Sequence, residues 1–388
     1  MRNRIPIFVA GLTALAMGCS PETATEPTAA VVESAPAEAM MRAPNRGLVV
    51  MSQNIYVGAD VDAVILALAS PSTADDIPAL LTAVATLQET DFPTRAAGFA
   101  DVVARTRPHV IGLMEVSKID IDLDLTPLGG PHVVYHVDFL TELKQALRNR
   151  HLHYRVAALE KNIEAVPIPG VSLIDYDVML VDARRVEIGR DIVARNFTNN
   201  IGPVPGAGIS LVRGFVSVPI QVDGERYRVT SAHLEADLAG QDAGLLRAAQ
   251  MQELVAVIGD AKHAVLLGDF NDFPGSDMYN LALGAGFTDV WTALRPGNDG
   301  FTCCHAANLT DERAVDQRID YIFARGFERR HDPVEGFIRR FGLLPSEMIA
   351  GPTHPIYVSD HAGLLADLAT PHHSDRHHEW RDGWHDRD

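Results

Sequence analysis

The chain has 388 residues, with 51 acidic against 33 basic side chains, a formal charge of −18. Hydrophobic residues make up 47% of it, which excludes a disordered acidic tail and a low-complexity chain. No solenoid or propeller period recurs, and collagen, a coiled coil and a multi-span membrane protein are excluded by inspection.

The N-terminus reads as an export signal. Arg2 and Arg4 precede an apolar run over residues 5–17 that is too short to span a bilayer stably. The run ends in Leu15-Ala16-Met17-Gly18-Cys19, which is similar to a bacterial lipobox, cut before Cys19 with lipid on the thiol. Ala16 stands where Leu is usual, and the alternative is an ordinary secretory signal with a chance Cys. Residues 20–46, rich in Pro, Ala, Thr and Glu, cannot bury enough apolar surface to order themselves and read as a tether. The expected location is therefore a bacterial cell envelope, outer membrane or cell surface, through a lipid on Cys19; otherwise the protein is secreted.

Residues 47–370 read as one domain and residues 371–388 as a solvated His-rich tail, with metal scavenging as its alternative. Tether and signal balance four Arg against four Glu, and the tail holds three Arg against five acids, so the acidic excess lies on the domain. Domains that bind nucleic acid mainly by counterion release are usually basic. This one needs cations in its site, or a substrate that is not a long polyanion. A monomer is expected.

Within the domain, residues 48–54 show a buried-strand pattern, and 61–90 read as helices interrupted by Pro71 and Pro78. Helices are predicted at 95–105, 139–150 and 245–258. Strands are predicted at 110–114, 177–181, 213–222, 226–231, 264–268, 318–324 and 361–368. Asp223-Gly224 between two apolar runs is a hairpin signal. The pattern points to layered α/β with mixed or antiparallel sheets. Cys303 and Cys304 are adjacent, and admit a disulfide between neighbours, two packed thiols, or least of all a zinc site.

Chemically useful residues fall where apolar strands end: Asn54, Glu115, His233, Asp269 and, two further on, Asn271. Asp360-His361 opens the last predicted strand, and Asp320 sits inside another. Taken singly, each is as well explained as a surface or capping residue. Together the motifs Gln53-Asn54-Ile55, Leu113-Met114-Glu115-Val116, Ser231-Ala232-His233-Leu234-Glu235, Gly268-Asp269-Phe270-Asn271, Arg318-Ile319-Asp320-Tyr321 and Ser359-Asp360-His361 stand in a familiar order. The chain from about residue 48 to 368 resembles the endonuclease/exonuclease/phosphatase (deoxyribonuclease I-like) superfamily. It departs at Met114, where that superfamily usually has Gln.

The resemblance implies an α/β four-layer sandwich of two mixed β-sheets flanked by helices. It implies that Glu115 binds a divalent cation, Mg2+ or Mn2+, with Asn54 beside it and Asp360 in or behind the metal shell. Asp269 then orients or deprotonates the attacking water, and Asn271 donates to a phosphate oxygen. His361, held by Asp320, contacts the scissile phosphate. His233 is the second imidazole, and Arg213 aligns with a phosphate-contacting position. An acid is expected behind His233, with Asp175 or Asp177 filling that place.

Converging carboxylates repel one another, and a hard divalent cation with oxygen ligands relieves this. The expected reaction is in-line attack of water on a phosphate ester. Nucleic acid, a phospholipid or a small phosphodiester are the candidate substrates. The alternative is a non-catalytic envelope binding or adhesion module that keeps the fold.

Overall fold

The strands pair into two mixed sheets. The first runs in the order Gly336–Phe341, Gly363–Ala369, Gly47–Asn54, Val110–Met114, Val171–Asp182, Lys118–Asp124 and His132–Asp138, and Tyr154–Ala165 also pairs with Val171–Asp182. The second runs Thr288–Asp289, Asp320–Arg325, Ala264–Asp269, Glu225–His233, Gly214–Val222 and Glu187–Ile188, with Val193–Asn196 beside Gly214–Val222. Both contain parallel and antiparallel pairs. The computed structural model describes residues 47–370 apart from 71, 73, 129, 205–208, 239–240 and 329–331. The expected signal peptide, tether and tail lie outside the described residues.

The strand period of two sets the layers. Leu48 and Val50 of one sheet and Val229, Val265 and Leu267 of the other belong to one buried cluster between the sheets. Val49 and Met51 alternate with the first pair and are buried on the opposite face. On the second sheet, Ala232, Leu266 and Phe323 point outward into a cluster with Met251 and Leu254 of the helix Gly244–Ile258 and Met278 of the helix Asp277–Gly284. The architecture is the expected sandwich of two mixed sheets flanked by helices.

The sheets approach closely at Gly112, where a Cβ would come within 2.2 Å of Leu267 and 2.5 Å of Ser231. Asp223-Gly224 forms the hairpin turn with Val222 opposite Glu225, and both turn residues have positive φ, 49° and 85°. Pro78 does not interrupt a helix. It sits in the first turn of Asp76–Thr90, where its missing N–H has no partner to lose. Helix Phe92–Thr106 starts where the Asp91 carboxylate accepts the Thr94 N–H. Its Phe92 ring stacks on Phe139, which opens the helix Phe139–Asn149. Among the described residues, no helix is long and apolar enough to cross a membrane.

Candidate active site

Three neighbouring strands of the second sheet end in register on His233, Asp269 and Asp320. The parallel pair from the first sheet ends with Asn54 opposite Met114, and Glu115 follows at once. The strand bearing Asp320 opens on that residue and the last strand opens at Gly363, so Asp320 and His361 stand at loop–strand junctions rather than inside strands. Glu115 and Asn271 have φ of 59° and 51°, a region that only a few per cent of non-glycine residues occupy. Each turns the chain sharply just past a strand, and Glu115 thereby reaches the cavity at the sheets' ends. Gly268, inside the strand before Asp269, is required for a different reason: its φ is 149°, and a Cβ there would fall 1.9 Å from the Ala232 carbonyl oxygen.

Asn54 bridges two acids. Its Nδ2 donates to Glu115 Oε1 at 2.8 Å and to Asp269 Oδ2 at 3.0 Å, while its Oδ1 accepts the Tyr56 N–H. The Val57 N–H donates to the other Glu115 oxygen at 2.9 Å. The loop that delivers this N–H hangs on Arg95, which is fully buried and donates to the carbonyls of Ile55, Tyr56, Thr90 and Val358. Ser359 Oγ donates to the Asn54 carbonyl, Gln53 Nε2 donates to the His361 carbonyl, and the two loops are thereby tied together.

His361 Nδ1 lies 2.9 Å from Asp320 Oδ2. Its Nε2 lies 3.9 Å from Asp269 Oδ2, and His233 Nε2 lies 3.6 Å from the same oxygen. The backbone N–H of Asn271 donates to Asp269 Oδ1 at 3.0 Å, and Asn271 Nδ2 donates to the Leu234 carbonyl. Thr302 Oγ1 accepts the Ile319 and Asp320 N–H groups, which fixes the backbone of the residue that holds His361.

The two imidazoles are driven apart in charge. Burial opposes the charged form of His361, but Asp320, Asp360 and Asp269 outweigh it and hold its pKa well above the usual histidine range. Burial, the Arg213 guanidinium and His361 push His233 well below that range. Burial and Asp320 raise Asp269 to about 7. Burial and Glu115 raise Asp360 to about 6 against the pull of His361. Titratable groups whose surroundings push their pKa values apart are the usual mark of acid and base roles.

The acid expected behind His233 is not Asp175 or Asp177. Asp175 accepts from Ser117 Oγ at 3.1 Å, and the ring atom such an acid would meet, His233 Nδ1, faces Arg213 Nη1 at 3.0 Å. Arg213 is itself paired through Nε with Glu235 Oε1 at 3.2 Å. Met114 is buried, and its sulfur receives the Ser231 hydroxyl at 3.7 Å, a weak contact across the two sheets. Cys303 and Cys304 are joined as a disulfide, with Cys303 Sγ 3.5 Å from His361 Nε2. His305 and Thr302 carry this segment along the site, bonding to the backbone of Asp360 and Ala362.

Glu115, Asp360 and Arg213 face a cavity of about 430 Å³. Among the described residues, two groups of three possible metal ligands have their atoms within 4.8 Å of one another: Asp269, Asp320 and His361, and Cys303, Cys304 and His361. In the first, the close imidazole–carboxylate hydrogen bond accounts for the approach; in the second, the sulfurs are bonded to each other. Glu115 and Asp360 fit a hard divalent cation better. Both are oxygen donors on the cavity wall, and the burial and Glu115 charge that raise Asp360 are what such a cation offsets.

The model of the Endonuclease/Exonuclease/phosphatase family matches residues 51–361, a span that includes every candidate site residue. An endonuclease/exonuclease/phosphatase from Beutenbergia cavernae is 20% identical, with TM-score 0.51, over 84% of this chain and 72% of that one. A functionally unknown conserved protein from Enterococcus faecalis is 14% identical, with TM-score 0.50, over 83% of this chain and 100% of that one. A humanized D. rerio TDP2 is 16% identical, with TM-score 0.48, over 83% and 98%. Among curated proteins, no sequence matched.

Proposed function

Because the chain belongs to the endonuclease/exonuclease/phosphatase family, we propose that it is a divalent-metal-dependent hydrolase of phosphate esters, phosphodiesters foremost. The observation that carries this reading is the position of Asp269 Oδ2, held by Asn54 and flanked by the Nε2 atoms of both imidazoles at 3.6 and 3.9 Å. A water bound there has an acceptor for its proton with a pKa of about 7, where a general base works best at neutral pH.

The residues divide the work. Asp269 orients the water and takes its proton. His361, kept charged by Asp320, donates from Nε2 to an equatorial phosphate oxygen, and neutral His233 donates from its own Nε2. Arg213 adds positive charge on the same side, and the Asn271 amide completes the donor set. Glu115 and Asp360 hold Mg2+ or Mn2+, with Asn54 fixing Glu115. An ion held by these residues would supply Lewis-acid polarisation of the phosphoryl group.

The cavity wall carries seven carboxylates against Arg213 and Arg313. That balance supports a lipid or small phosphodiester over a long nucleic acid, whose closely spaced charges would be repelled. The Cys19 sequence supports export and a lipid anchor in the cell envelope; metabolic labelling with palmitate, lost in Cys19→Ser, tests this. The central test is hydrolysis of bis(4-nitrophenyl) phosphate by the purified protein with Mg2+ or Mn2+. Turnover is expected, and Asp269→Ala and His361→Ala are expected to abolish it in protein that still folds by circular dichroism. A folded protein with no turnover would return the binding-module reading.

A further inference from the structure

Next to the cavity that Glu115, Asp360 and Arg213 line is a smaller recess of about 90 Å³, to which no polar atom is exposed. It sits under the helices Val61–Ala69 and Asp76–Thr90, against the strands Lys118–Asp124, Tyr154–Ala165 and Val171–Asp182. Val57, Ala59, Val61, Ile65, Ile163 and Leu173 line both spaces, so the two share a wall. Val57 joins them directly: its N–H holds Glu115 Oε2, and its side chain lines the apolar space.

Water in an apolar recess finds no polar partner in its walls, so an apolar group that displaces it gains free energy. The larger cavity, by contrast, is rich in acids and offers few cations to grip a second phosphate. Apolar contact in the adjoining recess is the source of binding energy best suited to a part of the substrate that does not react. We propose that the small cavity receives a hydrocarbon arm, alkyl or acyl, of the phosphate ester that is cut beside it. The substrate class is then a phosphodiester carrying an aliphatic group on one side. This rests on the hydrolase reading above and narrows it.

The volume sets the scale. A space of about 90 Å³ takes a short arm of a few methylenes and not a long acyl chain. Each buried methylene contributes about 0.8 kcal/mol, or about a three- to fourfold gain in kcat/KM if the gain is expressed in the transition state.

The test is a series of 4-nitrophenyl alkyl phosphates with methyl, ethyl, propyl, butyl and hexyl arms, assayed with Mg2+ or Mn2+. The expected result is a rise in kcat/KM of about three- to fourfold per methylene, about fiftyfold from methyl to butyl. Ala83 lines only the apolar cavity, and Ala83→Leu keeps good helix propensity while filling it. That variant is expected to cut the butyl-to-methyl ratio below tenfold. Equal kcat/KM for methyl and butyl arms would overturn the inference while leaving the hydrolase standing. Absence of turnover with the methyl ester as well would overturn both, so the two failures are told apart by that one substrate. The chain-length series in the unaltered protein decides the matter by itself should Ala83→Leu fail to fold.

Discussion

Arg213 places Nη1 3.0 Å from Nδ1 of His233, so this imidazole has a guanidinium behind it where a carboxylate would be expected. The guanidinium can only donate, and His233 must therefore present a bare Nδ1 and carry its proton on Nε2, toward Asp269. Glu235 holds the Arg213 fork in place from the other side, and both side chains are largely buried.

Two measurements separate the parts of this chain of contacts. Arg213→Met should leave the Glu235 carboxylate buried without its partner and destabilise the fold by about 3–5 kcal/mol. It should also lower kcat/KM by about 10²–10³-fold, the usual loss on removing one donor from a charge-stabilising site. The double variant Arg213→Met with Glu235→Leu removes the stranded charge, so most of the stability should return in urea melts. Activity should not. Recovery of turnover in the double variant would show that Arg213 serves only the fold.

His361 and Asp320 give the opposite electrostatic case. The folded pKa of His361 is raised, so its charged form persists as pH climbs past the ordinary histidine value and is lost only through the higher folded pKa. The alkaline limb of kcat should accordingly lie above 6.5 if His361 must be protonated. Asp320→Asn removes the largest charge that sustains the imidazolium. It should lower kcat by about 10²–10⁴-fold and move the alkaline limb downward. A kcat profile whose alkaline limb is the same in both proteins would remove His361 from the acid role.

Much of this site was legible because the carriers of chemistry are punctuated by local structure. Asp269 and His233 each follow an apolar run that can only be a buried strand, and the parallel register then sets them side by side. What was not legible depends on pairs far apart in the chain. Nothing in the sequence near residue 95 announces that Arg95 will cap four carbonyls, or that Thr302 will receive the Asp320 N–H. Arg213 behind His233 was hidden for the same reason: period-two alternation places Asp175 and Asp177 on one strand face, yet cannot say which partner crosses from another strand. Strand ends slipped by one or two residues at Asp320 and His361, where side-chain and loop contacts take the place of ladder bonds.

Metal binding is testable without substrate. Glu115 is held in place by Asn54 and Val57 before any ion arrives, so binding should stabilise the native state and little else. At a free Mg2+ or Mn2+ concentration of about a hundred times Kd, the gain should be about 2.7 kcal/mol, read as a rise in Tm over the chelator-treated protein. Glu115→Gln should cancel most of that rise. A full rise in Glu115→Gln would place the ion elsewhere.

His109 gives a stability prediction far from the chemistry. Its Nδ1 accepts the Val49 N–H at 2.9 Å, and the ring is buried, so a proton on Nδ1 would break the bond and strand a charge. Burial and the Arg185 charge lower its pKa to about 4 from an unfolded value of 6.5. Between those values the unfolded chain binds the proton and the folded chain does not, so stability falls as pH drops through that window. From pH 7 to 4.5 this group should withdraw about 2–3 kcal/mol from the folding free energy. The raised carboxyls Asp269 and Asp360 act with the opposite sign over the same range, so a single protein cannot isolate the term. Comparison with His109→Gln can, because the carboxyl contribution is common to both and cancels. Urea midpoints at the two pH values should show the variant losing about 2 kcal/mol less on acidification than the unaltered protein. A difference below about 0.5 kcal/mol would mean that His109 is protonated in the folded state as readily as in the unfolded one.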